Sequence, residues 1–329
     1  MNHRPGLLLS LLLLTSAVLL LLGVAVGSTG FTWDTWHTDV GAQILWQIRL
    51  PRSLGAWLAG ALLAVAGAVA QGLFRNPLAD PYLLGSASGA GLAVALVLAF
   101  AGLPAASLWW LDRLSLTGAA FIGTLVGVGL TLLLARGVEH TLRLLLAGVV
   151  VGVVLIAATH LVMLMAPDVM RSMTAFMLGT TSLLGWPSVG LMAAALALSL
   201  AVALASSRAL DALTLGEATT RSLGVRLARV RVLLILAFAL ATGTAVAQCG
   251  MVAFVGLVAP HLVRSLSPTT HGRLLLLSAA AGGALLLAAD VLCRWLIAPQ
   301  ELPVGIITAL LGGGYLLWRM HRSGNGRLA

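Results

Sequence analysis

The sequence contains no lysine and very little charge of either sign. All 19 basic residues are arginine, and charged residues make up only 9% of the 329 positions. A soluble domain carries charge on roughly a quarter of its residues, so this composition cannot cover a water-facing surface. The missing lysine also excludes a P-loop, whose lysine contacts the β- and γ-phosphates of ATP. Any ATP-driven activity therefore needs an ATPase on another chain.

Cysteine is nearly absent, and no catalytic or metal-binding pattern is visible. Cys249 and Cys293 lie singly in apolar runs, which indicates buried thiols rather than a disulfide framework or a metal site. No HExxH motif occurs, and GSASG has Ala87 where a nucleophile elbow needs serine. The sequence therefore predicts a chain that is not an enzyme and holds no metal.

The chain consists mainly of long apolar runs. The hydrophobic fraction is 60%, and the mean hydropathy is +1.05. Runs of about 20 residues fit membrane-spanning helices, whereas barrel strands would alternate over about 10 residues. We therefore predict an all-α polytopic membrane protein, with a single transmembrane domain over residues 1–329. About ten spans are expected near residues 7–28, 53–72, 84–101, 115–135, 143–166, 190–206, 230–252, 256–266, 274–294 and 304–320.

The arginines predict how these spans are oriented. An even number of spans puts both termini on one side, and placing them in the cytoplasm leaves fourteen arginines inside and five outside. The five outside are Arg49, Arg52, Arg113, Arg171 and Arg294. An aromatic belt then lies at the outer interface, formed by Trp33, Trp36, Trp46, Trp109, Trp110, Trp186 and Trp295. The net charge of +9 thus reflects topology, and no nucleic-acid binding is expected.

One polar stretch, FRNPLADPYLLGSASGAG at residues 74–91, interrupts the apolar pattern. Pro77 and Pro81 cannot continue a helix, so the second span should end just before them, at the inner face. Asn76 and Asp80 are expected to hydrogen-bond the freed backbone groups. Small residues then open the next span, namely Gly85, Ser86, Ser88, Gly89 and Gly91. They favour either a pathway for cargo or ordinary close packing in a helical hairpin.

A second interruption is GMVAFVGLVAPHLVRSL, residues 250–266, which is too short for two full spans. Three residues are expected to break it: Gly250, Gly256 and Pro260. His261 and Arg264 are three positions apart, so they should share one helix face. Because no second histidine or carboxylate lies near His261, we do not expect it to bind a metal.

The longest inner loop is LDALTLGEATTRSLGVRLARVR, residues 210–231. Asp211 is predicted to be a helix N-cap, Glu217 to lie early in the helix, and Gly224 to end it. One apolar stripe is expected from Leu213, Leu215, Ala218 and Leu223, and five arginines surround it. The loop is either an interfacial helix on lipid headgroups or a surface that docks a cytoplasmic partner.

The outer side carries unusual charge. Asp290 and Arg294 are four positions apart and should form an ion pair at the outer end of the ninth span. Arg49 and Arg52 lie in WQIRLPRSL, also on the side that disfavours basic residues. Three arginines there indicate an anionic partner, such as lipid phosphate or a protein's carboxylates.

Four ordered motifs carry a resemblance to a known family. RLPRSLGAWLAGALLAVAGAVAQGLFRNPLADPYLLGSASGA, LGEATTRSLGV, FVGLVAPHLVR and ADVLCRW…ELPVGI resemble the iron-chelate, haem and vitamin B12 permeases of bacterial ABC importers, over residues 46–312. The resemblance implies a vitamin B12 permease-like fold of ten spans in the bacterial inner membrane. It also implies two permease subunits around a pathway, two cytoplasmic ATPases and a periplasmic binding protein. This chain would bind no cofactor, because ATP and Mg²⁺ belong to the ATPase.

The resemblance also implies residue roles. Arg49, Arg52 and Arg294 are expected to receive glutamates of the binding protein. The coupling loop, about 207–229, is expected to seat in the ATPase through Leu215, Gly216, Glu217, Ala218, Leu223 and Gly224. The pathway, its gate and the helix breaks are expected at Asn76, Pro77, Asp80, Pro81, Gly85, Ser88, Gly89, Thr141, Pro260, His261 and Arg264. Leu142, beside Thr141, and the GGY at 313–315 depart from the family pattern, so the packing of the last span is left open.

The sequence is compatible with more than one cargo and with more than one source of energy for transport. An iron siderophore or haem is preferred, as the commoner cargo of the family, and vitamin B12 is the alternative. A more distant alternative is a secondary transporter driven by an ion gradient, which normally needs a carboxylate in mid-span. All ten acidic residues fall at span ends or in loops of the predicted topology. The second permease subunit is expected to be another copy of this chain, with a non-identical partner as the alternative.

Overall fold

The computed structural model describes residues 4–27, 30–31, 38–101, 109–136 and 141–325, and its long elements are all helices. They are α1 (Arg4–Ala25), α2 (Asp39–Ile44), α3 (Leu50–Phe74), α4 (Ser86–Ala101), α5 (Trp109–Leu134), α6 (Thr141–Met165), α7 (Met170–Leu178), α8 (Trp186–Ala205), α9 (Ser207–Leu213), α10 (Glu217–Ser222), α11 (Leu227–Cys249), α12 (Val255–Leu266), α13 (His271–Trp295) and α14 (Val304–Asn325). A π-helical turn, Leu45–Arg49, joins α2 to α3, and a 3-10 turn, Pro167–Val169, precedes α7. Two-residue strands, β1 (Val26–Gly27) and β2 (Gly30–Phe31), pair antiparallel after α1.

The predicted spans correspond to α1, α3, α4, α5, α6, α8, α11, α12, α13 and α14. Among the described residues, seven helical segments are long and apolar enough to cross a membrane: α1, α2 with α3, α5, α6, α8, α11 and α13. The apolar parts of α4, α12 and α14 are shorter. The prediction of an all-α polytopic membrane protein is therefore confirmed.

Helices α3 and α13 form the centre of the bundle. The most apolar window of the α2–α3 segment is 83% buried and that of α13 is 78% buried, against 11% for α1. A Cβ added at Gly60 of α3 would meet the carbonyl oxygen of Gly282 in α13, so small residues let the two backbones approach closely. Helix α1 lies at the periphery, where its exposed leucines suit a lipid environment.

The predicted small-residue face of α4 packs against α5. A Cβ at Gly89 would meet the Gly123 carbonyl oxygen, and one at Gly127 would meet the Gly85 carbonyl oxygen. The Thr131 hydroxyl also donates to the Leu84 carbonyl oxygen at 2.9 Å. These contacts give the face a packing role, and its place along a cargo pathway stays a prediction.

The first helix break lies where the sequence predicts it. Helix α3 ends directly before Arg75, which adopts the left-handed conformation with φ of 50°. The Asn76 side chain accepts a hydrogen bond from the Leu78 N–H at 2.9 Å, and Asp80 accepts one from the Tyr82 N–H at 2.8 Å. Both polar side chains therefore pair freed backbone groups, which confirms that prediction.

The second helix break differs in part from its prediction. The chain turns between α11 and α12 through Gly250 and Phe254, whose φ angles are 70° and 68°. Gly256 and Pro260 lie inside α12, so the prediction that they break the chain is wrong. A proline at that position removes only the bond to the Gly256 carbonyl, and the helix continues past it. That carbonyl oxygen instead faces Gly67 of α3, where an added Cβ would meet it.

The coupling loop contains two short helices rather than one. Asp211 lies inside α9, so its prediction as an N-cap within the loop is wrong. Its carboxylate instead accepts a hydrogen bond from the His271 N–H at 2.9 Å, at the start of α13. The chain turns at Gly216, whose φ of 102° favours glycine, and Glu217 begins α10. Gly224, with φ of 79°, follows the end of α10, as predicted.

The tryptophans predicted to form the aromatic belt lie at one end of the bundle wherever their side chains are described. The rings of Trp46 and Trp186 are 5.3 Å apart, and Trp295 is exposed where α13 ends. The remaining belt side chains lie outside the described part of the chain: Trp33, Trp36, Trp109 and Trp110.

Candidate functional site

The outer arginine cluster consists of Arg49, Arg52 and Arg294, which the fold brings together where α3 begins and α13 ends. All three turn into the protein, with relative exposures of 8%, 8% and 1%, respectively. The predicted ion pair between Asp290 and Arg294 is confirmed. The sequence did not predict that these arginines are buried, because burial depends on partners far away in the chain.

Asp290 is the centre of this cluster and is fully buried. Its Oδ1 accepts hydrogen bonds from Arg52 Nε at 3.1 Å and from the Thr181 hydroxyl at 2.5 Å. Its Oδ2 pairs with Arg294. A buried carboxylate needs such partners, because an uncompensated charge in the interior costs several kcal/mol. Asp290 therefore holds α3, α13 and the segment after α7 in one arrangement.

Arg52 contacts a second carboxylate at the surface. Both oxygens of Glu301 lie 2.9 Å from Arg52 Nη1. The Glu301 side chain is 27% exposed and lies in the connection between α13 and α14. The motif ELPVGI contains this glutamate, but nothing in its spacing connects it with an arginine 249 positions earlier.

The end of α1 is held by the other two arginines. Arg294 Nη1 donates to the Gly23 carbonyl oxygen at 2.7 Å, and Arg49 Nη1 donates to the Ala25 carbonyl oxygen at 3.0 Å. The last carbonyl groups of a helix lack partners within the helix, and cations stabilise that end. The predicted role of the three arginines as receptors for the binding protein's glutamates stays a prediction.

Two polar side chains near the helix breaks link distant parts of the chain, and neither link was predicted from the sequence. The Tyr82 hydroxyl donates to the Val252 carbonyl oxygen at 2.8 Å and accepts from the Val252 N–H at 3.0 Å. It therefore connects the first helix break to the second. Gln71 of α3 donates to the Leu257 carbonyl oxygen at 3.1 Å and accepts a hydrogen bond from Arg264. The signal was available, since Gln71 is a lone amide in a long apolar span.

His261 and Arg264 contact different helices, although both lie on α12. The Nδ1 atom of His261 lies 3.1 Å from the Tyr315 hydroxyl of α14, and the two rings meet edge to face. Arg264 turns towards α3 instead, so the two side chains share no partner in the described contacts. Among the described residues, no group of three or more His, Cys, Asp or Glu could hold a metal ion. Thr141 begins α6, and its side chain lies outside the described part of the structure.

The carboxyl group of Asp80 lies in the connection between α3 and α4. Burial raises its pKa from 3.8 to about 6, and the hydrogen bond from the Tyr82 N–H counteracts part of that rise. Asp80 therefore changes its charge near pH 6, which is closer to neutral pH than for an unperturbed aspartate.

The coupling loop is fixed to the long helices by polar contacts. Glu217 at the start of α10 accepts a hydrogen bond from Arg231 of α11 at 2.6 Å, and Arg231 is 3% exposed. The Asp211 carboxylate of α9 lies 2.7 Å from Nδ1 of His271 in α13. Thr220 of α10 donates to a carbonyl oxygen of α9 at 2.9 Å. Polar contacts therefore connect the two short helices to both α11 and α13.

The predicted apolar stripe of the coupling loop is divided. Leu213 is buried against the core at 1% exposure, while Leu215 and Leu223 are 66% and 63% exposed. The prediction of one stripe is wrong because the turn at Gly216 separates α9 from α10. An open cavity of about 360 Å³ between α10 and the start of α11 is lined by Arg221, Arg226, Leu227, Ala228 and Arg231.

Comparisons with known proteins identify what this architecture is similar to. A family model described as the FecCD transport family matches residues 11–322. The chain is 39% identical to the hemin transport system permease protein HmuU of Yersinia pestis, over 98% of both chains. It is 38% identical to the vitamin B12 import system permease protein BtuC of Escherichia coli strain SE11, over 98% of this chain and 96% of that protein.

Solved structures agree with these sequence matches. An inward-facing structure of a metal-chelate type ABC transporter matches with a TM-score of 0.86 at 27% identity, over 95% of this chain and 98% of the other. The PsaBC protein of Streptococcus pneumoniae, solved in complex with Fab, matches with a TM-score of 0.54 at 19% identity, which is a likeness of fold alone.

Proposed function

Because this chain belongs to the FecCD transport family, we propose that it is the transmembrane permease subunit of a bacterial ABC importer for a bulky metal chelate. The observation that carries the proposal is the match to importer permeases over 98% of the chain. The absence of a P-loop lysine supports a subunit that is not itself an ATPase. ATP and Mg²⁺ would then be bound by the partner ATPase.

An iron chelate, either haem or a siderophore, is the first candidate for the cargo. The hemin permease of Yersinia pestis is 39% identical to this chain, and the metal-chelate transporter structure has the same fold throughout. Vitamin B12 is the second candidate, since permeases for that cargo are 38% identical. The apolar helices and their many small residues suit a large rigid cargo that needs few fixed polar ligands.

The assembly would be a permease dimer in the inner membrane with cytoplasmic termini. A second copy of this chain, two cytoplasmic ATPases and a periplasmic binding protein complete it, and no nucleic acid takes part. The excess of arginine on the proposed cytoplasmic side supports the orientation. The outer arginine cluster would dock the binding protein, and the coupling loop would seat in the ATPase.

Energy transfer would use the contacts of the coupling loop. Closure of the ATPases would displace α9 and α10, and the pairs Glu217–Arg231 and Asp211–His271 would carry that displacement into α11 and α13. Helix α11 ends at the second helix break, and α13 ends at the outer arginine cluster. One displacement at the inner face would therefore reach both the proposed pathway and the proposed docking site.

A growth experiment tests the proposal and separates the cargoes. A bacterium that lacks its own inner-membrane importers for haem and vitamin B12 receives this chain with its cognate ATPase and binding protein. We expect growth on haemin as the sole iron source only when all three are present. Rescue by vitamin B12 alone, in a strain that requires it, would select the second cargo. Failure with every tested chelate would overturn the proposed function.

A further inference from the structure

We propose that Glu301 is an internal placeholder at the binding-protein docking site. In the undocked permease its carboxylate binds Arg52. When the binding protein docks, one of that protein's carboxylates displaces Glu301 from Arg52. The inference rests on the proposed function, because it needs a partner that docks at Arg52.

The two carboxylates on Arg52 differ sharply in burial. Asp290 is fully buried and is held by Arg52, Arg294 and Thr181 together. Glu301 is 27% exposed, and in the described part of the chain its side-chain hydrogen bond is to Arg52. Removing Asp290 would leave the buried Arg294 without its carboxylate partner, whereas removing Glu301 leaves Arg52 paired with Asp290. Glu301 is therefore the carboxylate that can be exchanged.

The guanidinium group of Arg52 divides its donors between these partners. Its Nε and Nη2 atoms face the buried Asp290 at 3.1 and 3.0 Å. Its Nη1 atom faces Glu301, with both carboxylate oxygens at 2.9 Å. A glutamate of a docking protein presents the same carboxylate chemistry, so it can take over Nη1 without disturbing the bonds to Asp290.

The side chain of Glu301 can turn into water while the backbone beside it stays bonded to the end of α13, where the Leu302 N–H donates to the Cys293 carbonyl oxygen at 3.2 Å. Residues 295–300, which directly precede it, are all exposed, in contrast to the buried end of α13 beside them. Glu301 itself lies outside any helix. Displacement of its side chain into water costs little, because an exposed carboxylate is well solvated.

Such a placeholder has a predictable effect on docking. It keeps Arg52 compensated while the permease is undocked, and every docking event must displace it. Glu301 should therefore weaken the complex with the binding protein. Because exchangeable surface ion pairs are worth modest energies, its removal should tighten docking by about two- to tenfold.

The test measures the dissociation constant of the cognate binding protein on the complete importer in lipid nanodiscs. We expect Glu301→Gln to tighten binding by about two- to tenfold. Asp39→Asn is the matched control, since it makes the same charge change at an exposed residue at the start of α2, on the same proposed outer side. An affinity of the Glu301→Gln importer no tighter than that of the Asp39→Asn importer would overturn the inference.

A second arm separates this inference from the docking assignment. Arg52→Gln should weaken docking, and adding Glu301→Gln to it should bring no further tightening, because the two residues act through one contact. Weak docking of Arg52→Gln without any gain in Glu301→Gln would overturn the placeholder alone. Unchanged docking of a folded Arg52→Gln importer would overturn the docking assignment and the placeholder with it. Thermal unfolding of each variant identifies those that fail to fold.

Discussion

Asp290 is the shared counter-charge of two buried arginines at the end of the bundle where α3 begins and α13 ends. One buried carboxylate is shared by Arg52 and Arg294, and Thr181 adds a neutral donor. A charge in this position is tolerated because its partners come from three separate parts of the chain. Loss of Asp290 leaves the buried Arg294 without its carboxylate partner, which is far more costly than loss of an exposed ion pair.

Asp290→Asn should destabilise the protein by about 3–5 kcal/mol, because it leaves two buried arginines without their shared counter-charge. The measurement is thermal unfolding of the purified protein in one detergent. Asp168→Asn is the control, since Asp168 is exposed, and it should change stability by less than about 0.5 kcal/mol. Equal unfolding temperatures for the two variants would refute a structural role for Asp290.

Asp80 should make the protein less stable as the pH rises from about 4 to about 6. Burial raises its pKa from 3.8 to about 6, so the group is neutral in both states below pH 4 and must be a buried carboxylate in the folded state above pH 6. Asp80→Asn removes the charge but keeps an acceptor for the Tyr82 N–H. It should change little at pH 4 and stabilise the protein by about 1–3 kcal/mol at pH 7.

Unfolding temperatures of both proteins across pH 4 to 7.5 check this prediction. The difference between Asp80→Asn and the unaltered protein should grow with pH and level off above the raised pKa. A difference that is constant with pH, or that shrinks, would contradict it.

At the scale of elements, the short helices α9 and α10 matter because each is bonded to a different long helix. Asp211 connects α9 to α13 through His271, and Glu217 connects α10 to α11 through Arg231. Thr220 also joins α10 to α9 by a hydrogen bond, so the two helices form one bonded unit. Two exposed leucines, Leu215 and Leu223, leave an apolar surface on this unit that suits a partner protein.

Glu217→Gln should uncouple the ATPase from transport. The change removes the carboxylate that Arg231 Nη2 contacts at 2.6 Å and weakens this link between α10 and α11. We expect the rate of ATP-dependent uptake to fall by about tenfold, the equivalent of 1.4 kcal/mol, while ATP hydrolysis by the partner continues. Uptake and hydrolysis are measured together in vesicles that hold the complete importer.

A charge-matched control keeps that result interpretable. Asp39→Asn alters an exposed carboxylate far from α10 in the sequence and should leave the ratio of uptake to hydrolysis unchanged. The coupling role of α10 is wrong if Glu217→Gln transports as well as this control.

A helix end could be predicted from the sequence where the residues that determine it lie close to it in the chain. The first helix break was predictable, since Pro77 and Pro81 end α3 through their own geometry and Asn76 pairs a backbone group two residues away. The second was predictable only at Gly250, because a helix can accept Pro260 when tertiary packing holds it. The partner of Asp211 was not predictable at all, because His271 lies 60 residues further on.

At the scale of the whole molecule, the apolar runs predicted an all-helical membrane protein, although seven described helical segments are long and apolar enough to cross a membrane, against about ten predicted spans. Apolar runs specify helices wherever no water can pair the backbone, so the ten predicted spans have counterparts in the structure. The candidate site was predictable as a set of residues, since Arg49, Arg52 and Arg294 do lie together. Their burial was not, because it depends on Asp290, Glu301 and the end of α1 meeting them in three dimensions.

The most direct test of this account asks where the energy for transport enters. The chain is reconstituted in vesicles with its binding protein and radiolabelled haem, with or without the cognate ATPase and internal ATP. We predict accumulation only when both ATPase and ATP are present, and no response to an imposed ion gradient. Accumulation of haem by the permease without any ATPase, driven by a gradient across the vesicle membrane, would contradict the account.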